Sequence, residues 1–331
     1  MTPRTFQLLT LATLALTIFL IVIGGATRVY DAGMACPDWP HCYDLWWPWP
    51  ESRVIEAGHL QGYVVNGQHY TWWQVLLEWG HRGLAAIVGF GLIGLLVGSL
   101  WQDKKINAPL LLAAVLLAVQ IKLGAVTVWF SNIHWSVVLH LGNAMLFTMA
   151  LFWLWWRTRV PAPTQRVAAS RWLWALAITG PVLVWVTMLI GAAVSSSHSG
   201  GVCGGLFSCA GVWMPSPKVD VGQHIHMQHR LYALLTFVHS VALLIMAKRS
   251  GLQPMRQAAL QLHLMILGQV VLGILTLYSF ASYPEFYYPL SIAHLGWGTL
   301  TLLAALAVPL ALVSTPAVQA AKTKPAGRGK K

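Results

Sequence analysis

The strongest constraint on this chain is a series of apolar runs, each of roughly 20 residues or more, near 7–27, 80–101, 108–130, 135–156, 171–194, 226–247, 258–281 and 289–312. About 20 helical residues cross the ~30 Å hydrocarbon core of a bilayer. Backbone placed there must satisfy its own hydrogen bonds, which leaves helices as the spanning elements. With 57% hydrophobic and 9% charged residues, the composition excludes a soluble globular domain and predicts an all-α polytopic membrane protein with eight transmembrane helices. The first run is too long for a signal peptide and lacks a small-residue cleavage site, so it is expected to stay as helix one.

Orientation follows from Lys and Arg. The connections at 102–107, 157–171 and 248–257, together with both chain ends, hold most of the 21 basic residues, and all but one of the nine acids fall on the other side. Positive charge marks the cytoplasmic side, so both termini are expected there. The net charge of +12 then expresses topology and not a nucleic-acid footprint. The end of the chain, "KTKPAGRGKK", reads as an anchor near anionic lipid. With no organelle-targeting segment, the expected location is a bacterial cytoplasmic membrane.

All four cysteines lie in the opposite, outside loops: Cys36 and Cys42 after the first helix, Cys203 and Cys209 after the fifth. An oxidising compartment favours two short-range disulfides. The identical spacing exposes an internal repeat. "IGGATRVYDAGMACPDWPHC" (23–42) aligns without a gap with "IGAAVSSSHSGGVCGGLFSC" (190–209). "QIKLGAVT" in the third helix matches "QVVLGILT" in the seventh, His81-Arg82 matches His229-Arg230, and His140-Leu141-Gly142 matches His294-Leu295-Gly296. The chain therefore reads as two tandem four-helix bundles related by a pseudo-twofold axis along the membrane normal. The first is 1–156 with a long outside loop at 28–77, then a linker at 157–170, the second bundle at 171–312, and a basic tail at 313–331.

The four matched histidines, each expected within about six residues of the outer end of its helix, lie at one depth on the periplasmic side. Two facing imidazoles per bundle in apolar surroundings make a bis-imidazole axial site for haem. Gly142 and Gly296, beside the ligands, would ease close approach of a flat macrocycle. Arg82 and Arg230 follow their histidines where propionate carboxylates would emerge; a snorkelling anchor is the other reading. Lys122, replaced by Val271 in the second copy, either meets a propionate or snorkels. The first loop also places Glu56 and His59 three residues apart, on one face of any helix there. Such a carboxylate is either poised above the macrocycle to stabilise positive charge or move a proton, or a solvated loop acid.

"GMACPDWPHC", Glu56-Ala57-Gly58-His59, "EWGHR", "QIKLGAVTV", "HLG", "MQHR" and "IAHLG", in that order along nearly the whole chain, resemble the haem A synthase family. The resemblance implies oxidation of a haem O methyl group to a formyl group for terminal oxidase biogenesis. It implies a haem b cofactor on His229 and His294, a substrate haem O on His81 and His140, Glu56 as the loop carboxylate and a Cys36–Cys42 disulfide. Its implied partners are the haem O substrate, delivered by a haem O synthase, an unidentified electron acceptor, membrane lipid and, left open, a second copy of the chain. The alternatives are a di-haem b electron-transfer protein linked to quinone, using the same histidines, and a thiol-oxidising membrane protein using the paired cysteines.

Overall fold

The computed structural model describes residues 1–56, 63–65, 67–103, 106–160 and 167–316. Among the described residues, eight helices are long and apolar enough to cross a membrane. They are α1 (Pro3–Val29), α3 (Trp72–Gly98), α4 (Asn107–Trp129), α5 (His134–Arg159), α6 (Arg171–Ser196), α7 (Val221–Ser250), α8 (Gln253–Ser282) and α9 (Pro284–Ser314). The long first loop adds a short helix, α2 (Glu51–Glu56), and a hairpin of β1 (Tyr63–Val65) and β2 (Gln68–Tyr70), paired antiparallel with Tyr63 opposite Tyr70. Among the described residues, this hairpin is the one sheet that departs from the all-α expectation.

All eight expected spans are present, and several helices begin well before their apolar runs: α3 and α7 start at polar caps, α8 and α9 at a proline in the first turn. At the start of α3, the Thr71 hydroxyl accepts from the Gln74 N–H and the Gln74 side chain accepts from the Thr71 N–H, a reciprocal capping box. Asp220 caps α7, accepting from the Gln223 N–H at 2.9 Å. The four matched histidines consequently lie deeper than six residues in three of the four helices: nine residues after the first residue of α3, six in α5, eight in α7 and ten in α9.

Helices pair in sequence, α1 with α3, α4 with α5, α6 with α7 and α8 with α9. In the middle, α1 and α6 each pack on both α5 and α9. Small residues make that centre possible: a Cβ on Gly25 or on Gly142 would come within 2.6 Å of Leu295 or Leu189, respectively. The Trp185 indole donates to the Gly142 carbonyl at 3.0 Å, so close backbone approach also wins a hydrogen bond. Gly142 and Gly296, which packs against Val22, thus serve the helix interface and not the imidazoles. The sequence pattern could not separate the two uses, since both glycines adjoin the histidine on the same helix.

Two buried apolar clusters, one around Phe6, Leu92, Leu95, Leu151 and Leu154 and one around Leu173, Leu243, Met255, Leu262 and Leu302, fill the ends of the helices nearest the chain N-terminus. Within α1 the buried hydroxyls of Thr10, Thr13 and Thr17 donate to the carbonyls of Phe6, Leu9 and Thr13, leaving no polar group unsatisfied there. Phe90, Leu100 and Leu111 lie exposed on the outside, as lipid-facing side chains do. The helix ends nearest the disulfide loops are hollow instead. One asymmetry stands out: α7 and α8 pack along each other, whereas α3 and α4 barely touch.

Candidate functional site

The hollow end encloses a cavity of about 1300 Å³ whose walls include His81, His140, His229 and His294. That exceeds the roughly 300–1,000 Å³ of an ordinary small-molecule pocket. Each imidazole rests against a glycine of the neighbouring helix. A Cβ on Gly24, Gly191, Gly124 or Gly273 would sit 2.9, 2.9, 3.5 or 3.2 Å from Cε1 of His81, His229, His140 or His294, respectively. These four positions are the ones that seat the rings.

In the second half the rings of His229 and His294 face each other with centroids 6.3 Å apart and planes at 79°. With metal–imidazole bonds near 2 Å, one metal ion fits between them. Nδ1 of His229 donates to the Thr187 carbonyl at 3.1 Å, which fixes the tautomer and leaves the Nε2 lone pair for a metal. In the first half the Leu20 carbonyl interacts with His81 at the corresponding place, in looser geometry that leaves Nδ1 without a full hydrogen bond. Among the described residues no cluster of three or more His, Cys, Asp or Glu side chains could hold a bare ion. What the site offers is imidazoles in pairs, so a metal held between them would have to bring further donors with it, as one in a porphyrin does. Buried atoms without partners, His81 Nδ1, His294 Nδ1, His226 Nδ1 and Gln269 Oε1, belong to residues lining the same cavity. The residues present fit haem.

Both arginines lie on the cavity wall with donors engaged by the protein. Arg82 donates to the carbonyls of Asp38, at 2.6 Å, and His41, and to Glu78 at 2.7 Å. Arg230 donates to the carbonyls of Gly205, Leu206 and Cys203, and contacts His226 at 3.2 Å. Each guanidinium pins the disulfide loop above it while lining the cavity below. Both loops carry the disulfide expected, Cys36–Cys42 and Cys203–Cys209, and matching single bridges, Cys42 with Leu45 and Cys209 with Val212. Within the first loop the Tyr43 phenol packs with the disulfide, and burial pushes its pKa up to about 12, so it stays neutral.

Among the described residues, the carboxylate on the cavity wall is Glu78. Glu56 ends α2 exposed and does not line the cavity, and His59 lies outside the described residues. Glu78, three residues before His81, has the same Glu-x-x-His spacing, is 5% exposed and lines the cavity. Its second oxygen accepts from the Cys36 N–H at 2.8 Å. The signal lay in "EWGHR", where one helical turn separates acid from imidazole. Its counterpart in the second half, three residues before His229, is His226. Lys122 is exposed on α4 and is no part of the cavity wall.

Fold and site together define a class: a polytopic membrane protein holding paired imidazoles in an apolar cavity beneath disulfide-closed loops. The chain belongs to the COX15-CtaA family, described as cytochrome oxidase assembly protein, whose pattern it matches over residues 7–308. Among curated relatives it is similar to the heme A synthase of Shewanella oneidensis, 29% identical over 293 residues covering 79% of this chain and 83% of the relative. It is similar also to those of Methylobacterium radiotolerans, 26% identical over 304 residues (80% and 79%), and Jannaschia sp., 27% over 298 residues (77% and 76%).

Proposed function

We propose that this chain is a haem A synthase, a membrane oxidoreductase that converts the haem O methyl substituent to the formyl group of haem A. The observation that carries the reading is the pair of glycine-seated imidazole pairs in one cavity, in a chain of this family. The two halves are tandem four-helix bundles about a pseudo-twofold axis along the membrane normal; the reciprocal packing of α1 on α9 and α6 on α5 supports this. Haem b is the resident cofactor of His229 and His294, and haem O is held by His81 and His140. The loose contact between α3 and α4 supports the first half as the one that exchanges its ligand with lipid. The sites face the periplasm, with both termini in the cytoplasm. Haem O arrives from a haem O synthase, and electrons leave to an acceptor.

When bound, haem supplies the redox chemistry; the chain orients and tunes. His81 and His140 fix the height and tilt of the substrate. Glu78, one turn above His81, presents a carboxylate to the reacting half, where it stabilises positive charge developing on the substrate or accepts a proton. Arg82 and the Cys36 N–H hold that carboxylate in place. The loops roof the cavity with Trp39, Trp46 and Trp47 on one side and Phe207 and Trp213 on the other, excluding water.

Haems extracted from membranes expressing the chain, with and without a haem O synthase, test the reading. Haem A or a hydroxylated haem O intermediate, present only when haem O is supplied, is the expected result. Two haems b per chain and no modified product would overturn it in favour of the electron-transfer protein. Glu78→Gln is expected to retain bound haem and lose at least 100-fold in haem A formation, while Glu56→Gln stays near the parental rate. The opposite pattern would return the role to Glu56.

A further inference from the structure

His140 and His294 are each capped by a glutamine of the adjacent helix, but the two glutamines are held differently. In the first half the Gln120 amide nitrogen lies 3.1 Å from Nε2 and 3.2 Å from Nδ1 of His140 and donates to its carbonyl at 3.1 Å. The Gln120 carbonyl oxygen in turn accepts from Asn143 at 2.7 Å, and Asn143 also donates to the Leu116 carbonyl at 2.9 Å. The second half keeps the first part of this arrangement: the Gln269 amide nitrogen lies 3.2 Å from His294 Nε2 and donates to the His294 carbonyl at 3.0 Å. It lacks the rest.

The residue matching Asn143, three positions after the histidine, is Trp297. Its indole donates to the Met265 carbonyl at 2.8 Å, and Met265 precedes Gln269 by four positions as Leu116 precedes Gln120. Tryptophan thus reproduces the anchor to the neighbouring helix and, having a single donor, cannot also hold the glutamine. Gln269 Oε1 is buried with no partner. The swap is built in from both sides. Gly268, where the first half has Val119, leaves the room that the Trp297 ring fills, since a Cβ there would lie 2.8 Å from it.

We propose that Asn143 is a positioning residue that sets how readily the first half releases its haem, an inference that rests on the haem reading above. Asn143 locks Gln120 with its amide donor on the His140 imidazole, so the side chain competes with iron for the ring's lone pair. Turning Gln120 aside breaks its bond to Asn143. Gln269 lacks that lock: turning it aside gives up its own bonds to His294, as turning Gln120 does, but its Oε1 has no partner to lose, and a buried carbonyl without a partner is itself unfavourable, so a rotation that finds it a donor is partly compensated. The first site is therefore built to exchange its haem and the second to keep it, as a substrate and a cofactor require.

The test uses the full-length protein loaded with haem b and follows haem transfer to excess apomyoglobin by absorbance. Each site is observed alone, in His229→Ala/His294→Ala or His81→Ala/His140→Ala backgrounds. Asn143→Leu is expected to slow release from the first site about fivefold, the worth of one hydrogen bond of about 1 kcal/mol. The reciprocal Trp297→Asn/Gly268→Val is expected to speed release from the second site by a similar factor. In protein with both sites intact, each change should move one kinetic phase and leave the other in place. Unaltered release in either variant that retains a bis-imidazole spectrum would overturn the proposal. If Asn143→Leu fails to bind haem, the reciprocal variant decides by itself. Full haem content in the His81→Ala/His140→Ala protein would instead remove the first haem site, and the reading on which the proposal rests would go with it.

Discussion

The two halves of this molecule share a plan and differ where chemistry would be done. Each seats two histidines on glycines, closes a loop with a six-residue disulfide separation and pins that loop with an arginine. One turn before the matched histidine on the second spanning helix of each half, the first carries Glu78 and the second His226. Beside the other ligand, the first has Asn143 and the second Trp297. The scaffold around the paired imidazoles has been kept twice; Glu78 and Asn143, to which the proposals above give action and release, occur once. The largest expected effect breaks the comparison at its root. His81→Ala or His140→Ala should abolish haem A formation while haem b stays bound to the other pair, and His229→Ala or His294→Ala should remove that haem b. Haem quantified per chain beside product analysis separates these outcomes. A haem b content that falls equally in all four variants would make the halves equivalent.

The next effect sharpens the comparison through electrostatics. Arg82 is paired with a buried carboxylate, whereas Arg230 is paired with an imidazole, and a stranded carboxylate is the costlier remnant. Arg82→Ala leaves Glu78 with backbone donors alone and should destabilise the protein by about 3 kcal/mol, the cost typical of breaking a buried ion pair by removing one side. Arg230→Ala loses hydrogen bonds to loop carbonyls but strands no charge, and about 1–2 kcal/mol is expected. Denaturation of the detergent-solubilised protein measures both. In the double variant Arg82→Ala/Glu78→Gln much of the larger loss should return. A loss for Arg82→Ala no greater than that for Arg230→Ala would mean that loop pinning, and not the ion pair, is what matters.

Much of this arrangement was legible in the sequence because bilayer physics and duplication write themselves in residue type. Hydropathy located eight spans, positive charge separated the two sets of connections, and the equal cysteine spacing revealed the repeat that singled out His81, His140, His229 and His294. What escaped notice depends on contacts between distant elements. Gly24 seats His81 across 57 positions of sequence, and nothing in either stretch announces that contact. The acceptors of Arg82 and Arg230 are mostly backbone carbonyls, which every residue carries. Glu56 drew attention because the second outside loop has no acid and histidine at that spacing, while Glu78 carried the same spacing to a histidine inside α3 itself.

The smallest expected effect concerns the packing below the sites. The second half is laced by interhelical polar pairs: Thr187 with Thr236, His239 with Thr179, and His263 with Ser240, each at 3.0 Å. At the matching positions the first half has Leu20 and Val88, Gly91 and Ala12, and Ala114 and Leu92. None of these residues has a side chain that could make such a bond. Such bonds between membrane helices are worth about 0.6 kcal/mol on average, because the separated helices find other partners. Thr187→Val and Ser240→Ala are each expected to cost about that much in denaturation, with activity retained, and Thr187→Val/Thr236→Val should cost no more than Thr187→Val alone, since both remove one bond. A loss of several kcal/mol would instead mark these pairs as a network holding the second bundle together, and the apolar first bundle would then be the softer of the two.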